Sequence, residues 1–200
     1  DFKRRRLSVA LIEQGKQPQL VTKGAFASVV SVCDSLRLAD ESVVALDTPR
    51  LQELERSFAA SSSQGYRVIG IASRALTALE AGSAGSLQIT QEVGMTFEGF
   101  LLFMDPAKPD APAAVAELRA LGIDLFLITG DNPLAAKHIA DEVGLRSDWV
   151  LTGGEFAESD AASRLAAISD CRVFAEFDPL QKEQLVKLIR SQGHSVGYFG

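Results

Sequence analysis

The sequence predicts an α/β protein with a doubly wound parallel sheet in residues 96–200, preceded by a mixed α+β domain with antiparallel strands in residues 1–95. Two observations support this fold class. Strand-like and helix-like segments alternate through the second half, as they do when helices connect parallel strands. Strand-like segments such as Ile123–Ile128 are almost continuously apolar, as expected when helices cover both faces of a sheet.

Five elements are predicted in the first half from hydrophobic periodicity and turn residues. In chain order they are the hairpin strands Leu7–Ile12 and Gln19–Thr22, the helices Ala25–Cys33 and Thr48–Ala60, and the strand Tyr66–Ser73. Residues 76–95 include three glycines and are expected to form an irregular connection.

Nine elements are predicted after Thr96, where the character of the sequence changes. The strands are Phe97–Met104, Ile123–Ile128, Trp149–Leu151, Val173–Phe177 and Ser195–Phe199. The helices are Pro109–Leu121, Asn132–Val143, Ser159–Ile168 and Leu180–Gln192. All of the strands are assigned to one parallel sheet.

The amino-acid composition is typical of a protein with a buried hydrophobic core. Of the 200 residues, 46% are hydrophobic and 23% are charged, and the mean hydropathy is +0.10. Apolar runs such as Phe100–Met104 reach only a quarter of the roughly 20 residues that cross a bilayer. No secretory signal is visible, and the widely spaced Cys33 and Cys171 indicate buried thiols in a reducing compartment.

Charge is distributed unevenly along the chain. Residues 1–95 carry 11 Lys/Arg and 10 Asp/Glu, whereas residues 96–200 carry 9 and 16. This split suits an anionic ligand in the first half and Mg²⁺-binding carboxylates in the second, although solvated surfaces explain the same counts. Nucleic acid is not an expected partner, because the basic run has one aromatic neighbour, Phe2, and no stacking platform.

The most informative turn is Thr129–Gly130–Asp131, which follows a predicted strand. Ligands of doubly wound sheets bind beyond the carboxyl ends of the strands, where a threonine hydroxyl and the N–H groups of a helix start suit a phosphoryl group. The same turn also fits an ordinary strand-to-helix connection in which Asp131 or Asn132 caps the helix.

Two further residues follow predicted strands and are expected at the same rim. Lys182 lies in the first turns of a helix, where a cation opposes the helix dipole. It either neutralises a phosphoryl oxygen or is a surface lysine that points to water. Asp105 either meets Mg²⁺ or caps the helix that begins at Pro109.

Basic residues of the first half are candidates for binding an anion. Side chains of the run Arg4–Arg6 alternate between faces, so at most two of them reach one ligand. Lys23 precedes Gly24 at a strand-to-helix junction, and Arg67 begins an apolar strand. A Walker-type loop and a G-x-G-x-x-G turn are both absent from the sequence, so any nucleotide must be held by a different device.

Six segments, taken in order, resemble the cytoplasmic catalytic region of P-type cation-transporting ATPases: DFKRRRLSV, LVTKGA, YRVIGIA, MDPAKP, LITGDNP and FDPLQKEQLVKLI. Their order and spacing cover nearly the whole chain and are far more specific than any one motif. The first segment and TFEGFLLFMDPAKP look most like the bacterial magnesium-transporting branch. The resemblance implies that residues 1–95 are the C-terminal part of a nucleotide-binding domain and that residues 96–200 are a haloacid-dehalogenase-like phosphorylation domain.

The resemblance also implies roles for individual residues. The nucleotide-binding positions, which line the ATP pocket or approach the phosphates and the hinge, are Arg5, Lys23, Gly24, Arg67 and Asp105. The positions that cradle and neutralise the transferred phosphoryl group are Thr129, Gly130, Asp131 and Lys182. Glu176 stands where the family commonly has an arginine and is assigned no role, and Phe2 lies just after the position of the family's adenine-stacking aromatic.

The function that the resemblance implies is that of a cytoplasmic piece of an ATP-driven magnesium pump. ATP and Mg²⁺ are the implied cofactors, and the membrane domain of the same parent chain and the transported cation are the implied partners. The family's phosphorylated aspartate, in a DKTGT motif, is not in this sequence, and its GDGxND motif would begin at Gly200. The piece alone is therefore expected to be inactive. Two alternatives remain open at this point: a haloacid-dehalogenase-type phosphatase and a non-catalytic nucleotide-binding module.

Overall fold

The computed structural model of the chain describes residues 4–77 and 89–199. It is a mixed α/β fold with a six-stranded, mostly antiparallel sheet and a small parallel sheet. The chain divides into two compact units. Unit 1 comprises Asp1–Ser61 and Val68–Phe103, and unit 2 comprises Ser62–Arg67 and Met104–Gly200.

The larger sheet has the strand order β1-β2-β5-β6-β3-β4. Its strands are β1 Arg6–Leu11, β2 Gln19–Ala25, β3 Cys33–Arg37, β4 Val43–Ala45, β5 Arg67–Ala75 and β6 Met95–Phe103. Antiparallel pairs join β1 to β2, β2 to β5 and β3 to β4, whereas β3 and β6 are parallel.

The predicted hairpin at the start of the chain is confirmed. β1 and β2 pair in a continuous register from Arg6 opposite Gly24 to Leu11 opposite Gln19. Exposure alternates along β1, with Leu7, Val9 and Leu11 exposed. Because strand side chains alternate between faces, β1 presents an apolar row to one face of the sheet and its polar residues to the other.

The helix predicted over Ala25–Cys33 is wrong in its extent. The helix α1 spans only Phe26–Val30, and Cys33 already belongs to β3. The short strands β3 and β4 were not expected, because β3 contains charged residues and has little apolar periodicity. Its strand conformation comes from pairing with β4 and β6, a tertiary effect that local propensity does not encode.

Aromatic side chains form the centre of the core of unit 1. The helix α2 spans Thr48–Ser63, three residues longer than predicted, and brings Phe58 against Phe26 with ring centroids 5.0 Å apart. Phe97 and Phe100 of β6 complete the cluster, with ring centroids 5.2 Å apart. This packing fixes α1 and α2 on one face of the sheet, as the predicted apolar side of α2 required.

The smaller sheet has the strand order β7-β9-β8, and both pairs are parallel. Its strands are β7 Leu127–Ile128, β8 Val150–Thr152 and β9 Val173–Ala175. The helices of unit 2 are α3 Ala111–Ala120, α4 Pro133–Glu142, α5 Gly153–Glu158, α6 Ala161–Asp170 and α7 Pro179–Ser191.

Helices pack on both faces of this parallel sheet. Phe174 of β9 belongs to an apolar cluster with residues of α5, α6 and α7, whereas Val173 and Ala175 contact α4 through Ala136 and Ala140. Successive residues of β9 therefore face opposite helical layers. This explains why the strand sequence is continuously apolar.

Three predictions about the parallel sheet are wrong. Phe97–Met104 was assigned to it, but β6 lies in the six-stranded sheet between β5 and β3. The strand predicted over Ile123–Ile128 is reduced to its last two residues, and Ser195–Phe199 forms no strand. An apolar run becomes a strand only where a neighbouring strand accepts its hydrogen bonds, which periodicity alone does not reveal.

The connection predicted over residues 76–95 lies largely outside the described residues. Its described part contains one 3₁₀ turn, Ile89–Gln91, which precedes β6. Among the residues that the structure describes, no helix combines the length and the apolar character that a bilayer crossing requires.

The close approach of β1 and β2 at Gly24 generates a testable prediction. A Cβ atom at Gly24 would lie 2.7 Å from the Cα atom of Arg6 and would also meet the Arg5 carbonyl oxygen. Backbone atoms cannot move aside without breaking the pairing, so Gly24→Ala should lower the free energy of unfolding by about 1–3 kcal/mol. Urea-induced unfolding measures this change.

The matched control is Gly154→Ala in α5. A Cβ atom there meets only the Thr152 hydroxyl oxygen at 3.9 Å, which is an ordinary contact. This control should leave stability unchanged or raise it slightly, because alanine favours the helix. Equal destabilisation by both substitutions would contradict the steric explanation.

Candidate functional site

The three loops that follow the parallel strands meet at one edge of the smaller sheet. Thr129 follows β7, Gly153 follows β8 and Glu176 follows β9. Parallel strands end on the same side of their sheet, so these positions share a rim. Two backbone hydrogen bonds join the loops directly: Glu176 N–H donates to Asp131 O at 2.8 Å, and Phe177 N–H donates to Thr129 O at 3.0 Å.

The Thr129–Asp131 turn is closed by two hydrogen bonds between its own residues. The Thr129 hydroxyl donates to Asp131 Oδ2 at 2.8 Å and accepts from Asp131 N–H at 3.1 Å. Gly130, between them, is exposed, and its N–H has no hydrogen-bond partner among the described residues. The turn therefore offers a hydroxyl and an unused N–H group at the start of α4.

Asn132, and not Asp131, caps the following helix. Its side-chain oxygen accepts from Leu134 N–H at 3.0 Å and from Ala135 N–H at 3.1 Å, and its amide donates to the buried Ser62 hydroxyl at 3.2 Å. Of the two cap residues that the sequence left open, the structure selects Asn132. The Asp131 carboxylate does not cap α4 and contacts Thr129 and Arg67 instead.

Arg67 lies beside Asp131. The Arg67 Nε atom and Asp131 Oδ1 are 3.4 Å apart, and the arginine side chain is 69% exposed. So exposed a pair contributes little to stability. Its consequence is electrostatic, because a guanidinium offsets the carboxylate at a turn that would otherwise repel an anion.

Lys182 lies in the first turns of α7, the helix that follows the loop after β9. Asp178 caps this helix by accepting from Gln181 N–H at 2.8 Å, and the Gln181 side chain donates to Gly153 O at 2.7 Å. Lys182 is half-buried, and within the described part of the chain no carboxylate lies within ion-pair distance of its ammonium group. Its charge is therefore available to a ligand.

Asp105 does not follow a strand of the parallel sheet, as the sequence predicted it would. It follows β6, which belongs to the six-stranded sheet, and its side chain is exposed. The cap position of the helix α3 is occupied by Asp110. The expectation that Asp105 shares a sheet edge with Thr129 is therefore wrong, because it depended on the misplaced strand.

Glu176 adopts an unusual backbone conformation at the end of β9. Its φ of 56° lies in the left-handed region, which non-glycine residues seldom adopt. The strain accompanies the two hydrogen bonds that tie this loop to the Thr129 turn. The sequence assigned Glu176 no role, and the structure gives its backbone a role in closing the rim.

In unit 1, Arg4 and Arg6 bind the same buried carboxylate. Arg4 and Arg6 both donate to Glu92 Oε2, with Arg6 Nε at 2.8 Å, and the Ser8 hydroxyl donates to Glu92 Oε1 at 2.6 Å. Glu92 is 5% exposed. Burial raises the pKa of Glu92, but the hydrogen bonds from Arg4, Ser8 and Arg6 outweigh it and hold the pKa at about 2.

Arg5 and Lys23, the other basic candidates of unit 1, are both exposed. Lys23 lies within β2 rather than at its end, opposite Leu7 on β1 and Ile71 on β5. Gly24 contacts the backbone of β1 so closely that only glycine fits there. Phe2 lies outside the described residues.

Sequence reasoning missed Glu92. It is a single acidic residue in a segment that was read as irregular, and nothing near it in the sequence points to β1, which lies more than 80 residues away. The one available signal was the run of arginines, because a row of like charges on an edge strand requires a counter-charge. Cys33 and Cys171 are both free thiols. Cys171 is buried as predicted, whereas Cys33 is only half-buried, and burial raises the pKa of both.

The family model that matches the chain describes the cytoplasmic domain N of P-type ATPases and covers residues 2–110. The chain belongs to the P-type ATPase family. Its similarity to individual members extends over both units, and the relatives below are matched along all or nearly all of its length.

The chain is 35% identical over 201 residues to the magnesium-transporting ATPase, P-type 1, of Escherichia coli (strain K12). The aligned region covers 100% of this chain and 22% of that protein. The protein of the same name from Salmonella typhimurium (strain LT2) is 36% identical over 202 residues, with the same coverage. The cation-transporting ATPase pma1 of Synechocystis is 30% identical over 199 residues, or 96% of this chain and 21% of that protein. The chain spans about a fifth of the length of these curated relatives.

The low pKa of Glu92 predicts how stability depends on pH. A carboxylate whose pKa is lowered on folding from 4.5 to about 2 stabilises the folded state above pH 4.5, and this contribution disappears as the pH falls to 2. The shift corresponds to about 3 kcal/mol at neutral pH. Glu92→Gln should remove this contribution, so the stability difference between wild type and variant should shrink steadily below pH 4.5.

Urea-induced unfolding of both proteins between pH 7 and pH 2 measures this difference. Subtracting the variant from the wild type cancels the other carboxylates of the chain. A stability difference that stays constant across this range would mean that Glu92 is not held ionised by its three donors.

Proposed function

We propose that the chain is the nucleotide-binding and phosphoryl-handling part of an ATP-driven cation pump of the magnesium-transporting branch, on the cytoplasmic side of its membrane. Unit 1 belongs to the nucleotide-binding domain, and unit 2 to the phosphorylation domain. The observation that carries the proposal is the match of the entire chain to a magnesium-transporting ATPase at 35% identity. The transported ion is Mg²⁺, and its ligands lie in the parent protein's membrane helices.

A haloacid-dehalogenase-like fold for unit 2 is supported by its parallel sheet and by the place of its polar residues. The strands β7, β9 and β8 are parallel, and helices cover both faces. The polar turn lies at the carboxyl ends of these strands, where such sheets bind ligands. The adjacent loops are held together by backbone hydrogen bonds, which give the turn a fixed shape.

The rim residues suit phosphoryl transfer, which depends mostly on positioning and on neutralising charge. The Gly130 N–H donates to a phosphoryl oxygen at the start of α4, where the helix dipole favours an anion. The Thr129 hydroxyl, which donates to Asp131 in this structure, rotates to donate to the bound anion instead. The Lys182 ammonium neutralises the remaining charge. Arg67 offsets the charge of Asp131, so the carboxylate does not expel the anion.

The nucleophile of this reaction comes from the parent protein. No DKTGT motif occurs in the 200 residues, so the aspartate that receives the phosphoryl group belongs to another segment. The residues of unit 2 assist the formation and hydrolysis of its acyl phosphate. The chain by itself binds nucleotide and does not turn over ATP.

Mg²⁺ is supplied with the nucleotide, and the described residues alone do not form a site for it. No group of three His, Cys, Asp or Glu side chains with metal-binding geometry occurs among them. Asp131, whose carboxylate belongs to the turn, already accepts a hydrogen bond from Thr129 and pairs with Arg67. We therefore assign no metal ligand among the described residues.

In unit 1 the nucleotide binds over the face of the sheet that contains Lys23. The cross-strand neighbours of Lys23 are Leu7, which is 53% exposed, and the half-buried Ile71. An apolar surface with a single cation suits a nucleoside whose base covers the apolar side chains while its phosphates approach the ammonium group. Arg5, an exposed residue in the turn before the neighbouring strand β1, adds a second cation.

The proposal predicts that Lys23 is required for binding ATP. Lys23→Ala should weaken the binding of the non-hydrolysable analogue AMPPNP by at least about tenfold, because a charged hydrogen bond to phosphate is lost. Titration calorimetry with the 200-residue chain measures the affinity. Lys23 is exposed and has no ion-pair partner in the described part of the chain, so the fold should be unaffected.

Lys16→Ala is the matched control. Lys16 lies in the hairpin turn of the same unit, is 70% exposed and, among the described residues, forms an ion pair with Glu13. Its removal changes the net charge by the same amount and should not change the affinity. Equal effects of the two substitutions would reject the Lys23 site, and turnover of phosphate esters by the chain alone would favour a free-standing phosphatase.

A further inference from the structure

Glu92 is a buried carboxylate that connects two distant segments of unit 1. It precedes β6 in the sequence. Its side chain accepts the hydrogen bonds described above from Arg4, Arg6 and Ser8, which lie in β1 and in the turn before it. Arg4 and Arg6 are also only 24% and 15% exposed. The carboxylate therefore binds the start of β1 at three points.

The residue between these points, Arg5, has a strained backbone. Its φ of 52° lies in the left-handed region, which costs a non-glycine residue about 1 kcal/mol or more. A strained conformation persists only where its surroundings hold it. Arg4 and Arg6 are anchored to the same carboxylate oxygen on either side of Arg5, so Glu92 supplies that restraint.

The same restraint places Arg5 against β2. The Arg5 carbonyl accepts from Ala25 N–H at 2.9 Å, and the glycine at position 24 allows the two backbones to approach. Lys23 directly precedes this glycine in β2. A change in the backbone at Arg5 would therefore alter the spacing between the two exposed cations.

We propose that Glu92 is a positioning residue that fixes Arg5 beside Lys23 for the phosphates of the nucleotide. The part of this inference that concerns nucleotide rests on the proposed function. Glu92 is buried and its carboxylate is fully engaged by Arg4, Arg6 and Ser8, so it acts through Arg5 and does not touch the ligand.

The charge of Glu92 is what the positioning requires. Glutamine has the same shape and can still accept the Ser8 hydrogen bond, but it leaves two partly buried guanidinium groups without a counter-charge. Glu92→Gln should therefore release the segment around Arg5 while keeping the packing near β6. Glu98→Gln is the matched control, because Glu98 is a partly buried carboxylate of the same sheet that pairs with Arg37 and Ser73 and does not contact β1.

The first measurement is amide hydrogen exchange at Ala25, whose N–H is bonded to the Arg5 carbonyl. Glu92→Gln should accelerate this exchange about tenfold, since loss of the restraint opens the bond, and Glu98→Gln should not. This readout needs no nucleotide. Unchanged exchange at Ala25 in Glu92→Gln would overturn the proposal.

The second measurement is a double-mutant cycle on AMPPNP affinity. Glu92→Gln should weaken binding about tenfold in the wild-type background and have no further effect in Arg5→Ala, whereas it should add to the effect of Lys23→Ala. Losses that add in the Arg5→Ala background would overturn the positioning role, because Glu92 would then act independently of Arg5.

The outcomes separate this inference from the proposed function. If the wild-type chain does not bind AMPPNP, the proposed function fails, and exchange at Ala25 still decides whether Glu92 holds Arg5. If Glu92→Gln does not fold, Arg4→Gln removes one anchor and leaves the carboxylate paired with Arg6. Arg4→Gln should then show a smaller acceleration at Ala25, and no acceleration would overturn the proposal.

Discussion

The parallel pairing of β9 with both β7 and β8 is the constraint on which the candidate site depends. It brings the ends of three strands to one edge of the sheet, although the loops are separated by more than 20 residues in sequence. Hydrogen bonds from Glu176 and Phe177 to Asp131 and Thr129 then fix the loops against each other. Backbone pairing thus determines where the loops meet, and side-chain hydrogen bonds such as that from Thr129 to Asp131 shape the turn within this frame.

Unit 1 positions its basic residues by a different means. Its sheet is mostly antiparallel, so neighbouring residues on adjacent strands, such as Leu7 and Lys23, share a face by register. The aromatic packing of α1 and α2 covers the opposite face. The start of β1 carries three adjacent arginines, and the buried Glu92 compensates two of them while the third remains exposed.

The sequence was most informative where one local pattern determined the structure. The hairpin β1–β2, the helix α2 and the helices after Asn132 and Asp178 were all predictable, because periodicity and cap residues act within a few positions. Membership of a sheet was not predictable, since β6 has the apolar character of a parallel strand but pairs in unit 1. The contact between Glu92 and β1 had no local signal, because it joins residues 84 to 88 positions apart.

A titration with inorganic phosphate, followed by amide chemical shifts, tests most directly whether the rim binds one small anion. We expect one saturable site at which the Gly130 and Asp131 amides shift together, and an affinity for phosphate that falls about tenfold in Lys182→Gln. Lys187→Gln, on the same helix, is the control, because Lys187 is 72% exposed and paired with Glu183. Equal affinity of both variants, or a Gly130 amide that does not respond at saturation, would show that this rim is not the anion site.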